Sequence, residues 1–269
     1  MLGTPDPDTA AALARLYDLD LADDPGDHDL YLALADRAGG AVRGGWTAIL
    51  ELAVGSGRLA VPLALAGNRV TGVDRDPAML ERARARSARE KVAPGSLDLI
   101  EADIVGLRLA AGATFRLAVL ALNSLMVLGT RNAQQAVIKA LADHLEPGGL
   151  AAVDVWLPDA DDLARYDGRI ILEWPRRDPE TGQIVTKTGS AQYDSTTGTV
   201  TLTSIFEEGS QGGPAARWVR TERLRLVSAD ELAGFAEAAG LRVEMIAGGY
   251  DLEPLGPGGD RAVLVAIRP

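Results

Sequence analysis

The sequence predicts an α/β fold: a parallel sheet with helices on both faces, interrupted by an inserted antiparallel meander. Three observations predict it. From Trp46 to Trp156, short apolar runs alternate with stretches of helical periodicity, the rhythm of βαβ units. From about Gly168 to Val227, polar and apolar residues alternate between the turn-like stretches DPETG, STTG and SQGGP, as antiparallel strands do. A helical stretch and two further apolar runs, LRVEMIAG and RAVLVAIRP, close the chain.

Residues 1–45 read as a helical segment. Asp8 to Leu19 has helical spacing with Asp8 or Thr9 as cap, DLADDPGD is an acidic turn, and Asp27 to Arg37 forms a second helix ended by Gly39-Gly40. Strands are expected at Thr47–Leu52, Arg69–Asp74, Leu97–Glu101, Phe115–Leu122 and Leu150–Trp156. Helices are expected between them at Gly57–Ala66, Pro77–Val92 and Arg131–Leu145. Pro77 suits a first helical turn, Pro62 falls early enough in its helix to cost little, and EPGG stops a helix and launches a strand. About four strands fill residues 168–227, and Ser228-x-x-Glu231 reads as a capping box for the next helix. The expected division is therefore 1–45, a core of 46–167 with 228–269, and an insertion at 168–227.

Composition removes several kinds of function. The chain has 269 residues, enough for a full core, with 47% hydrophobic and 24% charged residues. It has no cysteine, so disulfides, thiolate metal sites and a cysteine nucleophile are excluded, and two histidines make a poor metal centre. No metal is expected. The net charge is −11, and a protein that neutralises phosphates carries a basic stripe instead. The nearest candidate, ERARARSAREK, reads as the solvated face of a helix. No nucleic-acid partner is expected. The N-terminus lacks the pattern of a signal peptide, and no apolar run has the length of a membrane span. A soluble, cytoplasmic protein is the expectation.

The stretch ELAVGSGRLA, Glu51 to Ala60, carries the chemistry. It joins a predicted strand to a predicted helix, and Gly55-Ser-Gly57-Arg-Leu-Ala60 fits a dinucleotide-binding fingerprint. Glycines alone do not choose a cofactor; the acids around them say more. Asp74 ends the second strand, where a carboxylate accepts from ribose hydroxyls; this suits NAD or S-adenosylmethionine. Asp103 ends the third strand and is placed to accept from an adenine amine. Glu51 ends the first, where it is unhelpful to a pyrophosphate but attracts the cationic end of a methionine moiety. Singly, Asp74 is also a helix cap, Asp103 a turn residue and Glu51 a solvated strand end; together they make a site.

ILELAVGSGRLAVPLALAGNRVTGVDRDPAMLERAR resembles the opening motifs of class I S-adenosylmethionine-dependent methyltransferases. IEADIVGL, FRLAVLALNSLMVL and HLEPGGLAAVDVW resemble their next three, in order and at the usual spacing. The resemblance covers Trp46 to Trp156 and implies a Rossmann-like sheet of seven strands with the last antiparallel, RAVLVAIRP beside LRVEMIAG. It implies S-adenosylmethionine as cofactor and S-adenosylhomocysteine as product. In the family's glycine loop Glu51 is the acid, Gly55 and Gly57 the second and third glycines, and Ala53 replaces the first, which a negative φ would tolerate. Asp74 takes the ribose role, Arg75 borders the adenine, Asp103 holds its amine with Ile104 nearby, and Met79 packs against it or fills core. Tyr31 and Leu122 complete the expected cofactor set.

Methyl transfer to N, O or C of a small molecule asks mainly for proximity and a dry pocket. Asn123, after the fourth strand, and Tyr17, in the prelude that relatives fold over the methionine end, are the catalytic candidates. Each has a plainer role, Asn123 as a loop cap and Tyr17 as a core aromatic. His28, Trp156, Trp174, Arg176 and Tyr250 are the candidates for substrate, and His144 reads as a helix C-terminal residue meeting the dipole. No Asn/Asp-Pro-Pro-Tyr/Phe motif follows the fourth strand, which agrees with a small-molecule substrate. The insertion, as in sugar-amine and glycine N-methyltransferase-like enzymes, is expected to act as a lid or as a homodimer surface. The rival readings are an NAD-dependent oxidoreductase and a non-catalytic methyltransferase-like binding domain.

Overall fold

The computed structural model describes residues 6–23, 25–39, 46–110, 112–209 and 215–269. Gly40 and the SQGGP loop from Ser210 onward lie outside them. The chain forms two compact units, 1–24 with 159–226 and 25–158 with 227–269. This division differs from the expected one: the N-terminal helical segment is shared, its first helix going with the insertion and its second with the core.

In chain order the elements are α1 (Pro7–Asp20), α2 (His28–Gly39), β1 (Ala48–Leu52), α3 (Ala60–Leu65), β2 (Arg69–Asp74), α4 (Pro77–Arg89), β3 (Leu97–Glu101), β4 (Phe115–Leu120), α5 (Ser124–Val127) and α6 (Arg131–His144). They continue with β5 (Leu145–Trp156), α7 (Ala160–Arg165), β6 (Asp167–Arg177), β7 (Ile184–Asp194), β8 (Thr199–Glu208), β9 (Ala216–Arg225), α8 (Ala229–Ala238), β10 (Arg242–Ala247) and β11 (Arg261–Ile267).

The larger unit holds a seven-stranded sheet in the order β10-β11-β5-β4-β1-β2-β3. β1 to β5 run parallel, and β11 is antiparallel to both β5 and β10. Strands covered on both faces read as continuous apolar runs, and Ala151, Ala152, Val153 and Val155 of β5 are fully buried. From β1 the chain moves to β2 on one side and later to β4 on the other. Such a reversal opens a crevice beyond the strand C-termini, where ligands bind in α/β sheets.

Local chemistry explains most boundaries. α4 starts where expected because Pro77 fills its first turn and the Asp76 carboxylate accepts the Ala78 N–H at 2.9 Å. α1 is capped by Asp6, not Asp8 or Thr9: its carboxylate accepts the Thr9 N–H at 3.1 Å and the Thr9 hydroxyl at 2.7 Å. α3 begins at Ala60, three residues late, because the left-handed Gly55 and Gly57 cannot continue a helix. β4 stops at Leu120 for the same reason, since Leu122 and Asn123 have φ of 51° and 61°. Ser228 caps α8 by accepting the Glu231 N–H at 3.2 Å, and β5 starts at Leu145, ahead of EPGG.

The smaller unit is a four-stranded antiparallel meander, β6-β7-β8-β9, with α1 on one face. Leu16 and Leu19 of α1 bury against Val185 and Phe206, with Trp174 and Trp218 alongside. Polar contacts frame this small core. The Trp174 indole N–H donates to Asp20 at 3.0 Å, Arg176 donates to the Leu19 carbonyl at 2.8 Å and pairs with Asp23, and Lys187 bridges Asp20 and Glu173 at 2.6 and 2.8 Å. That packing is why α1 belongs to the insertion.

Candidate active site

The glycine turn leaves β1 at the switch point. Its backbone is left-handed at Ala53, Gly55 and Gly57, with φ of 55°, 54° and 76°. The sequence expectation for Ala53 is corrected here: φ is positive, and a methyl-bearing residue in that conformation costs about 1–2 kcal/mol. The turn is held in spite of this by Val54 N–H to the Val73 carbonyl and Gly57 N–H to the Val54 carbonyl, both 3.0 Å.

Asp74 ties β2 to this turn. One carboxylate oxygen accepts the Gly55 N–H at 2.8 Å and the other accepts the Asp76 N–H at 2.9 Å. Each oxygen keeps a second lone pair, so ribose hydroxyls still find acceptors. Arg75 next to it is exposed, and Met79 is half-buried in the first turns of α4. Asp103 is exposed beyond β3, with one oxygen accepting the Val105 N–H at 2.8 Å, and Ile104 is buried behind it.

Glu51 is the unusual member. It is 4% exposed, and its Oε2 has no hydrogen-bond partner. The Arg58 guanidinium faces it but is already forked onto Asp27, with both N–H···O distances 2.6 Å. Asp27 is itself fully buried. Burial pushes the Glu51 carboxyl up to about 8; Arg58 opposes that shift, while Asp27 and Asp74 add to it. A buried acceptor with no donor is costly, and this one is built to receive a cation.

The turn after β4 forms the neighbouring wall. The Leu122 N–H donates to Asp154 at 3.0 Å, and the Asn123 side-chain carbonyl accepts the Trp156 N–H at 2.6 Å. Asp154, fully buried in β5, also accepts the Tyr31 hydroxyl at 2.6 Å, Arg261 at 2.6 Å and the Tyr250 hydroxyl at 3.3 Å. Burial raises the Asp154 carboxyl, while the Tyr31 hydroxyl, Arg261 and the Leu122 N–H work against that rise. The Tyr31 and Tyr250 phenols are both pushed up, chiefly by burial and then by the Asp154 charge. The Arg261 guanidinium also lies over the Tyr250 ring, 4.7 Å from its centre.

The structure therefore brings Glu51, Ala53, Gly55, Gly57, Asp74, Leu122, Asn123, Trp156 and Tyr250 onto elements around one strand-end edge. Tyr31 has no exposed surface, so its hydroxyl serves Asp154 from within the core. His28 is the first residue of α2, partly buried. His144 ends α6, where its ring accepts the Leu109 N–H at 3.1 Å and meets the Ala140 carbonyl at 2.7 Å. Tyr17, Trp174 and Arg176 belong to the other unit: Tyr17 has the Arg220 guanidinium 5.2 Å from its ring centre, and the other two hold α1.

Sequence reasoning missed Asp27, Arg58, Asp154 and Arg261. A signal for Asp154 existed: a lone acid in the apolar run LAAVDVW must be paired if the strand is buried. Its partners lie 32 to 123 residues away, and no local pattern names them. Among the described residues no cluster of His, Asp and Glu is arranged to hold a metal ion.

The residues fit S-adenosylmethionine. The unpartnered buried Glu51 oxygen would suit its ammonium, the glycine turn is left-handed at Gly55 and Gly57, and Asp74 and Asp103 keep lone pairs that ribose hydroxyls and an adenine amine would use. Comparison with known proteins agrees. A methyltransferase domain family matches residues 49–149. The cypemycin N-terminal methyltransferase of a Streptomyces species is 27% identical over 214 residues, 77% of each chain. Among solved structures, an S-adenosylmethionine-dependent methyltransferase from Clostridium acetobutylicum superposes with a TM-score of 0.77 at 17% identity, covering 95% of this chain and 97% of that one. An amino pentose methyltransferase of calicheamicin biosynthesis from Micromonospora echinaspora gives 0.67 at 21% identity, covering 100% and 99%. Sheet order and strand-end site define the Rossmann-like class I methyltransferase fold. With the methyltransferase domain match over residues 49–149, they support a class I S-adenosylmethionine-dependent methyltransferase.

Proposed function

We propose that this enzyme methylates an amine nitrogen of a small natural-product-like substrate. The observation that carries the cofactor half is the buried, unpartnered Glu51 oxygen beside the glycine turn. The same carboxylate argues against the NAD reading, because a pyrophosphate at this turn would face a buried acid. The substrate half is supported by the names of similar proteins: an amino pentose methyltransferase, a sugar N-methyltransferase from Streptoalloteichus, and the cypemycin N-terminal methyltransferase.

When bound, the cofactor supplies a methyl group on a sulfonium whose departure leaves a neutral thioether. The chain's own task is then holding and orienting. Glu51 receives the ammonium, Asp74 the ribose hydroxyls and Asp103 the adenine amine. The left-handed Leu122–Asn123 turn, pinned by Asp154 and the Trp156 N–H, sets the wall against which the nucleophile is placed. Proximity of this kind supplies much of the acceleration in a displacement reaction. Tyr250, partly exposed beside Asp154, is assigned to substrate contact.

A homodimer through the insertion is part of the same proposal. β6 is an edge strand, and Ile170, Ile171 and Leu172 on it are 65%, 53% and 64% exposed; long apolar edges invite pairing. Sedimentation of the purified protein tests it, a monomer at micromolar concentration counting against it. No helix among the described residues is long and apolar enough to cross a membrane.

The substrate class is tested by assaying S-adenosylhomocysteine release over a panel of amino-sugar nucleotides, short peptides with free N-termini, and hydroxylated acceptors. Turnover confined to amines is expected. Turnover confined to hydroxyl acceptors would overturn the assignment.

A further inference from the structure

Four charged groups meet at the end of β1, and they do not balance. Glu51 projects from β1, Asp27 from the segment before α2, Asp74 from β2 and Arg58 from the glycine turn. β4, the other neighbour of β1, presents Val119 at the Glu51 register and adds no charge. Among the described residues the cation acting on Glu51 is Arg58, and it makes a two-pronged contact with the fully buried Asp27 carboxylate. Asp74 is satisfied by two backbone N–H groups. Glu51 is left nearly sealed from water with an unbonded oxygen. A carboxylate so placed does not stay ionised alone; it takes a proton or a cation.

We infer that Asp27 is a positioning residue that, by its own charge and by holding Arg58 in the fork, keeps Glu51 protonated in the free enzyme, so that the cofactor's ammonium exchanges with that proton on binding. The inference rests on the cofactor reading above and goes beyond it by giving Asp27 and Arg58 a role. Asp27 acts by withholding Arg58 from Glu51. Without the fork, the guanidinium would pair with Glu51 directly, and the site would be full before the cofactor arrived. The exchange balances: Glu51–COOH loses its proton to solvent, and the carboxylate then accepts from the incoming ammonium. It also gives selectivity, since a ligand lacking the amino group has nothing to replace the proton. The elevated carboxyl, at about 8, is the expected consequence of this geometry.

The test is calorimetric titration of the whole protein with S-adenosylhomocysteine at pH 7 in phosphate and in Tris, buffers of different ionisation enthalpy. The dependence of apparent enthalpy on buffer counts protons released. With the Glu51 carboxyl raised to about 8, release of most of one proton per ligand is expected at pH 7. 5′-Methylthioadenosine, which lacks the ammonium, should release none. Asp27→Asn should abolish the release and weaken S-adenosylhomocysteine binding at least tenfold; a merely structural Asp27 would lower affinity and leave the release intact. Wild-type binding at pH 7 without buffer dependence would overturn the inference alone. Absence of S-adenosylhomocysteine binding would overturn the cofactor reading and the inference with it.

Discussion

The Tyr31 hydroxyl donates to Asp154 at 2.6 Å, with both side chains wholly buried. This bond joins α2 to β5, and through the second contact of the same oxygen it reaches the Leu122 N–H. A helix in the N-terminal segment thus braces the Leu122–Asn123 turn, the wall proposed to place the nucleophile. Tyr31→Phe removes one donor from a buried charge and keeps the ring. It should destabilise the protein by about 1.5–3 kcal/mol. Urea denaturation measures this, and an unchanged midpoint would mean that the bond does not carry the brace.

Ala53→Gly should act in the opposite direction. At φ 55° the methyl group is strained, and glycine relieves it at the cost of a more flexible unfolded chain. A net gain of up to about 1 kcal/mol is expected, with S-adenosylhomocysteine affinity within about threefold of wild type. Denaturation and calorimetry on the same variant check both halves.

Glu51 makes stability fall with pH. Its carboxyl is raised in the folded state to about 8 from an ordinary 4.5. Between those values the folded protein holds a proton that the unfolded chain has released, so stability declines as pH rises through the window and levels off above it. The decline has an upper bound of about 5 kcal/mol. Glu51→Gln should flatten it and leave the ligand-free variant more stable than wild type at pH 8, while weakening cofactor binding. Melting temperatures recorded from pH 5 to 9 decide the matter.

Trp174→Ala should loosen α1. The indole packs with Leu13, Leu16 and Phe206 and donates to Asp20, so truncation leaves a cavity in a small core, at about 2–4 kcal/mol. Hydrogen exchange should show lost protection in residues 7–20 before any change in β1 to β5. Full protection of α1 in the variant would free Trp174 for the substrate role that its sequence context suggests.

Asp74→Asn places an amide NH₂ against one of two backbone N–H donors, Gly55 or Asp76. Loss of charge-assisted bonds should weaken S-adenosylhomocysteine about ten- to a hundredfold. Unchanged affinity in a folded variant would remove Asp74 from the ribose site.

What was legible in the sequence follows a physical line. Arg69–Asp74 and Leu97–Glu101 coincide with β2 and β3 because strand runs there end abruptly at polar turns. The seven strands and the antiparallel last one were expected from family resemblance, while Glu51, Asp74 and Asp103 stood out by their strand-end positions. The four-residue α5 and six-residue α7 are too short for periodicity to register. Ala53 and Leu122 gave no warning of positive φ, since neither is a residue type that prefers it. Asp27 looked like one more acid in DLADDPGD; only the fold sets it on Arg58. The parting of α1 from α2 was hidden for the same reason, since both are amphipathic and only their partners differ.

The central claim is that the acids around the glycine turn select a cationic methionine cofactor over a dinucleotide. Calorimetric titration of the wild-type protein with S-adenosylhomocysteine and, separately, with NAD tests it most directly. The account predicts micromolar or tighter binding of S-adenosylhomocysteine and no measurable heat with NAD. Micromolar binding of NAD with none of S-adenosylhomocysteine would contradict it.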